Sequence, residues 1–317
     1  MDLSTSKHFD GVHLSLDELI YYKQQSVSWL PPAKSLWSQM LGQHQSRQLG
    51  RGMDFTEVRQ YQAGDDVRSI DWRVTARTGK PHTKLFTEER EKPVILYLDM
   101  GRSMYFGSTL MLKSVLMAHM ASLIAWLSVA QQDRIGAVID TGHELIELKP
   151  TSRNKGPLSL IQTLVHRHEI NISQPQNSQF HTGQPSDIST ALLALNRLCP
   201  KGSEIVMLSD FVRFTPEHQT LLTRLRQHNR VRMIHISDPL EQGQTHYRGV
   251  EQVSNHHQTQ WLNFASRKAR NEIEHAFAVK QNALQELAHS LGISFASLSS
   301  GQPLLQQLHG YKHDHNF

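Results

Sequence analysis

Two aspartates each stand directly after a short apolar run. Asp99-Met100-Gly101-Arg102-Ser103 follows Val94–Leu98, and Ser209-Asp210-Phe211 follows Glu204–Leu208. Between them lies Pro185-Ser186-Asp187-Ile188, a hydroxyl on a loop that opens a helical pattern. Carboxylate and hydroxyl oxygens converging from separate loops suit a hard divalent cation. Mg²⁺ takes oxygen ligands in an octahedral arrangement and keeps several waters. Either aspartate alone reads as a cap of the helix that follows it. Together, at equivalent positions of one sheet, they point to a site.

The elements that must position these residues alternate. Val94–Leu98 reads as a buried strand, Leu110–Gln131 as a long helix and Arg134–Ile139 as a strand. Glu144–Leu148 is its hairpin partner across Thr141–Gly142. Asn154–His168 and Ser186–Leu198 read as helices, the second capped by Ser186 or Asp187. Strand Glu204–Leu208, helix Pro216–His228 and strand Val231–Ile236 follow. Gly249–Asn263 is hairpin-like, Leu262–Leu291 a long amphipathic helix and Ile293–Leu298 a last strand. Such alternation predicts an α/β fold with a doubly wound, mostly parallel sheet. Ligands of such sheets bind beyond the carboxyl ends of the strands, where strand order reverses. The loops after Leu98 and Leu208 lie there.

Three regions are expected: 1–92, an N-terminal helix (Leu14–Trp29) followed by a β-containing module; 93–309, the α/β domain; and 310–317, a flexible tail. The 317 residues are 38% hydrophobic, enough for a core, and Lys+Arg exceed Asp+Glu by only four. The charges are interspersed, without the basic face of a nucleic-acid binder. The single cysteine, Cys199, excludes an internal disulfide and suits a reducing compartment. It reads as a buried residue at a helix end. Met1–Asp10 lacks a signal-peptide pattern, and Leu116–Ala130 is short of the roughly 20 apolar residues of a bilayer span. A cytoplasmic protein is expected.

Residues Glu57-Val58-Arg59-Gln60-Tyr61-Gln62-Ala63-Gly64-Asp65-Asp66-Val67-Arg68-Ser69-Ile70-Asp71-Trp72, continuing through Ala76-Arg77-Thr78-Gly79-Lys80 to Lys84-Leu85-Phe86, resemble the family catalogued as domain of unknown function 58. The resemblance covers roughly residues 45–240. That family is similar to the von Willebrand factor type A superfamily, whose metal-ion-dependent adhesion site uses Asp-x-Ser-x-Ser, a Thr on a second loop and an Asp on a third. The resemblance maps Asp99 and Ser103 onto the first and last motif positions, Ser186 onto the Thr and Asp210 onto the third loop. Gly101 departs from it, supplying no oxygen where the first serine would stand, so a bound Mg²⁺ would be held more weakly. The resemblance further implies a non-enzymatic protein-binding adaptor that presents substrates or partners to a MoxR-type AAA+ ATPase during assembly or activation of other complexes.

The signature itself reads as scaffold. Gly64-Asp65-Asp66 is a turn, and Val67–Trp72 a strand in which Arg68 and Asp71 pair and Trp72 enters the core. Twenty histidines scatter, and His166/His168, His256/His257 and His313/His315 lack metal-site spacing. No phosphate-binding loop of the Gly-x-x-x-x-Gly-Lys type is present. The alternative function is a metal-dependent phosphoester hydrolase using Asp99 and Asp210, but no general base accompanies them.

Overall fold

In strand β3 (Pro93–Asp99) every residue is buried, because both sides of the strand are covered. The computed structural model describes residues 9–24, 53–62, 65–88, 92–173, 187–243, 247–254 and 259–310. The described residues within 9–24 and 92–310 form one compact unit, and those within 53–88 a second.

The larger unit carries a sheet of six strands in the order β10 (Ser294–Ser299), β7 (Arg230–Ser237), β6 (Glu204–Ser209), β3, β4 (Arg134–Asp140), β5 (Leu145–Thr151). Neighbours pair in parallel, except that β5 runs antiparallel to β4 as its hairpin partner. From β3 the chain first builds outward through β4 and β5, then returns to β3's other side for β6, β7 and β10. The reversal lies between β3 and β6. The α/β, mostly parallel sheet flanked by helices is as expected.

Successive strand side chains point to opposite faces, so β3 contributes to two cores. Leu96 and Leu98 join α3 (Lys113–Ala130) and α4 (Lys155–Ser173) in one, while Ile95 and Tyr97 join α5 (Ile188–Leu198), α6 (Gln219–His228) and α7 (Arg267–Ser290) in the other. Helix α3 is buried continuously from Lys113 to Ser128. Its length and apolarity match those of a membrane-crossing helix, yet the sheet and α4 surround it. Asp187, one of the two expected caps, starts α5 by accepting from the Ser189 amide. Cys199 closes that helix and is buried, as anticipated.

The expected module 1–92 divides. Helix α1, described over residues 16–24, packs onto α3, with Leu19 and Tyr22 fully buried in the first core. The His119 imidazole of α3 bridges Glu18 Oε1 (2.8 Å) and the Tyr22 hydroxyl (3.2 Å). Apolar burial thus assigns α1 to the sheet unit. Residues 25–29 of the expected Leu14–Trp29 helix and the expected tail beyond Gly310 lie outside the described residues. A short helix absent from the expectation, α8 (Leu304–Gly310), adds Leu304 and Leu308 to the same core.

In the smaller unit, β1 (Met53–Gln60) pairs antiparallel with β2 (His82–Glu88). The signature between them corrects the expected strand Val67–Trp72. Val67–Ser69 is one 3₁₀ turn capped by Asp66, and Trp72–Thr78 is helix α2. Asp71 caps α2, accepting from the Arg73 and Val74 amides, and its ion pair is with Lys84 (3.5 Å), not Arg68. Trp72 is 71% exposed rather than core. Val67 and Ile70 read as β-formers, but aspartates that satisfy the free amides of a helix start outweigh that preference. Helix α2 ends at Gly79 with φ 70°, a left-handed turn natural to glycine.

Candidate functional site

The carboxyl edge of the sheet is built from one repeated local device. Where β3, β4, β6 and β7 end, an aspartate accepts from the amide two residues on. Asp99 Oδ1 takes Gly101 N (2.9 Å), Asp140 Oδ1 takes Gly142 N (2.8 Å), Asp210 Oδ1 takes Val212 N (3.0 Å) and Asp238 Oδ1 takes Leu240 N (2.9 Å). This side-chain turn lets an extended strand break into a loop while keeping its first amide satisfied. All four aspartates are buried.

Asp99 and Asp140 share one cation. Arg213, on the loop after β6, places Nη2 2.7 Å from Asp99 Oδ1 and 2.8 Å from Asp140 Oδ2, with the Tyr97 hydroxyl at 3.4 Å. Tyr97 donates to Asp140 Oδ2 (3.2 Å), and Ser209 Oγ donates to Asp99 Oδ2 (2.6 Å). Burial pushes the Asp99 carboxyl above its ordinary range, with Arg213 opposing that shift.

Asp210 meets the second cation. Lys113, the first residue of α3 and itself fully buried, sets Nζ 2.9 Å from Asp210 Oδ2 and 2.6 Å from Glu241 Oε1. Burial alone would raise Asp210, but Lys113 and the Val212 amide hold it below the usual carboxylate range. The same carboxylates hold Lys113 above its ordinary value despite burial. Ser103, on the 3₁₀ turn Arg102–Met104, lies close enough to Asp210 to help lower its carboxyl.

Of the four residues expected at the site, Asp99 lies in the cluster around Arg213, Asp210 and Ser103 lie with Lys113, and Ser186 lies outside the described residues. Sequence reasoning missed Asp140, Arg213, Lys113, Glu241 and Asp238. One signal was present for two of them: Asp140 and Asp238 also directly follow apolar strands, in Ile139-Asp140 and Ser237-Asp238. The two cations gave none, since a Lys opening a helix and an Arg in a polar loop both read as surface.

The arrangement stores charge rather than exposing it. Asp99 and Asp140 are wholly inaccessible, and no nucleophile lies free beside a base among the described groups of this network. Above it, the loops after β3, β4 and β6 turn Arg102, Phe106, His143 and Val212 outward. The β6 loop passes through Phe211 with φ 52°, a left-handed conformation costly for an aromatic residue. Its ring is locked 1% exposed, edge-on to Phe214 (5.1 Å). Such strain persists only where the surroundings enforce it.

Proteins of Mycobacterium bovis and Mycobacterium tuberculosis, both uncharacterised, are each 31% identical to this chain over 171 residues, covering 54% of it and 51% of theirs. The chain thus spans about half the length of the curated relatives it matches. Among solved structures, the conserved hypothetical protein BatB of Bacteroides thetaiotaomicron aligns with 70% of this chain and 96% of its own, at 13% identity and a TM-score of 0.38. An uncharacterised membrane-spanning protein of Vibrio fischeri covers the same shares at 16% identity and a TM-score of 0.22. Residues 57–283 match the model of a family described as Protein of unknown function DUF58, running past the extent of 45–240 expected from the sequence. With the match spanning the signature, the sheet-edge aspartates and most of α7, the chain belongs to that family.

Proposed function

We propose that the protein is a non-enzymatic, cytoplasmic binding adaptor with a von Willebrand factor A-like domain, and that its sheet edge presents partners to a MoxR-type AAA+ ATPase. One observation carries this reading. The acidic groups at the place where such a sheet receives ligands are buried and neutralised from within, while exposed Arg102, Phe106 and Val212 lie on the loops above. A hydrolase needs an accessible nucleophile or metal-bound water. A docking surface needs a rigid base and mixed apolar and charged loops.

Affinity capture of the full chain from its source cell tests the proposal. The expected result is recovery of an AAA+ ATPase, reduced at least tenfold by Val212→Asp or Arg102→Glu in proteins whose melting temperatures match wild type. Failure to recover any ATPase counts against the adaptor function. Phosphatase activity that vanishes in Asp99→Ala would favour the hydrolase instead.

A further inference from the structure

We infer that the guanidinium of Arg213 and the ammonium of Lys113 are permanent cations filling the places a divalent metal would take at this sheet edge. This goes beyond the adaptor reading and concerns how the edge is assembled.

Three observations converge. First, one nitrogen, Arg213 Nη2, lies between oxygens of Asp99 and Asp140 at 2.7 and 2.8 Å, as a point charge bridging two carboxylates. Lys113 Nζ does the same for Asp210 and Glu241 at 2.9 and 2.6 Å. Every carboxylate nominated as a ligand already holds a cation. Mg²⁺ needs oxygens at about 2.0–2.1 Å in a full octahedron. Entering here, it would have to displace an Arg or Lys whose charge has nowhere else to go.

Second, a Cβ at residue 101 would lie 3.0 Å from Asp99 Oδ1, 3.4 Å from Arg213 Nε and 3.5 Å from Arg213 Cζ. A serine there would press its Cβ on the Asp99 carboxylate, which would have to give by a few tenths of an ångström, while it would meet the guanidinium at ordinary van der Waals distance. Restoring the serine alone would not rebuild an oxygen site, because Arg213 already bridges Asp99 and Asp140.

Third, Arg213 is held as a structural group. Its side chain is 15% exposed, and its remaining nitrogens, Nε and Nη1, are buried without a hydrogen-bond partner among the described residues. A flexible surface arginine would turn those donors to water. Here the two carboxylates fix the group despite that cost.

Mn²⁺ provides the probe, read by the resonance of the free aqua ion and by the melting temperature. Wild type is expected to leave the Mn²⁺ signal undiminished at equimolar concentration, and to melt at one temperature with millimolar Mn²⁺ or EDTA. Gly101→Ser alone should create no Mn²⁺ binding, because Arg213 still bridges Asp99 and Asp140. The Gly101→Ser, Arg213→Ala double variant, with oxygens at 99, 101 and 140 and no guanidinium, should take up Mn²⁺ and melt higher in its presence. Wild-type binding of one Mn²⁺, lost in Asp99→Asn, overturns the inference even if no variant folds. So does a folded double variant that ignores Mn²⁺. None of these measurements involves a partner protein, so their failure is separate from failure of the adaptor function.

Discussion

Arg213 offers Nη2 to oxygens of Asp99, Asp140 and Tyr97, and so ties the ends of two strands, β3 and β4, to the loop after β6. Removing it would leave two buried carboxylates facing each other without a cation, the situation that makes breaking a buried pair far costlier than its net contribution. Arg213→Ala is expected to lose about 3–5 kcal/mol in urea unfolding, and Arg213→Lys less, since one ammonium still reaches one carboxylate. At the other extreme is Cys199, buried at the end of α5, whose thiol burial pushes up to about 12. The thiolate is the reactive form. Native protein should therefore resist alkylation at pH 8 that proceeds readily in denaturant, as counted by mass spectrometry.

The strands were legible in the sequence because burial on both faces leaves a run of apolar residues with no competing pattern, as in Val94–Leu98. The signature was not, because Val67 and Ile70 signal strand while Asp66 and Asp71 signal helix starts, and which wins depends on what the amides meet. That outcome separates two substitutions. Asp71→Ala removes a cap and is expected to cost about 1 kcal/mol. Trp72→Ala, at an exposed position, should lie within about 0.5 kcal/mol of wild type. If Trp72→Ala nonetheless abolishes partner capture at unchanged stability, the signature is a contact surface rather than scaffold. Helix α1 makes the reverse case. Its packing against α3 predicts a loss of about 2–5 kcal/mol for Leu19→Ala, measured by chemical denaturation, although the sequence joined it to the module that follows.

At the scale of the whole molecule, acid sensitivity should trace to His235 in β7. Its ring is 3% exposed and packs against Phe277 and Phe295 at 5.8 and 6.2 Å. Burial pushes its pKa down to about 4, with Lys280 acting in the same direction. The unfolded chain, titrating near 6.5, therefore binds the proton more tightly than the folded one. The sign follows: stability is intact above about pH 6.5 and is lost as pH falls toward 4, by about 3 kcal/mol in all. His235→Leu should flatten that limb of a stability-against-pH curve. An unchanged slope would place the acid response elsewhere.

By itself the sequence determined the order of strands and helices from β3 to β10, the mostly parallel sheet and the two aspartates at its edge, because alternating apolar runs and strand-end turns are local signals. It also showed that residue 101 lacks a hydroxyl. Only the tertiary structure decided what that lack means. Lys113 lies 97 residues from Asp210, and Arg213 lies 114 from Asp99. No spacing rule links such pairs, because partners across a sheet edge are chosen by how the chain winds back on itself. Glycine at 101, read alone, is a ligand lost. With a guanidinium fixed between two buried carboxylates beside it, the edge already holds a cation there without that hydroxyl.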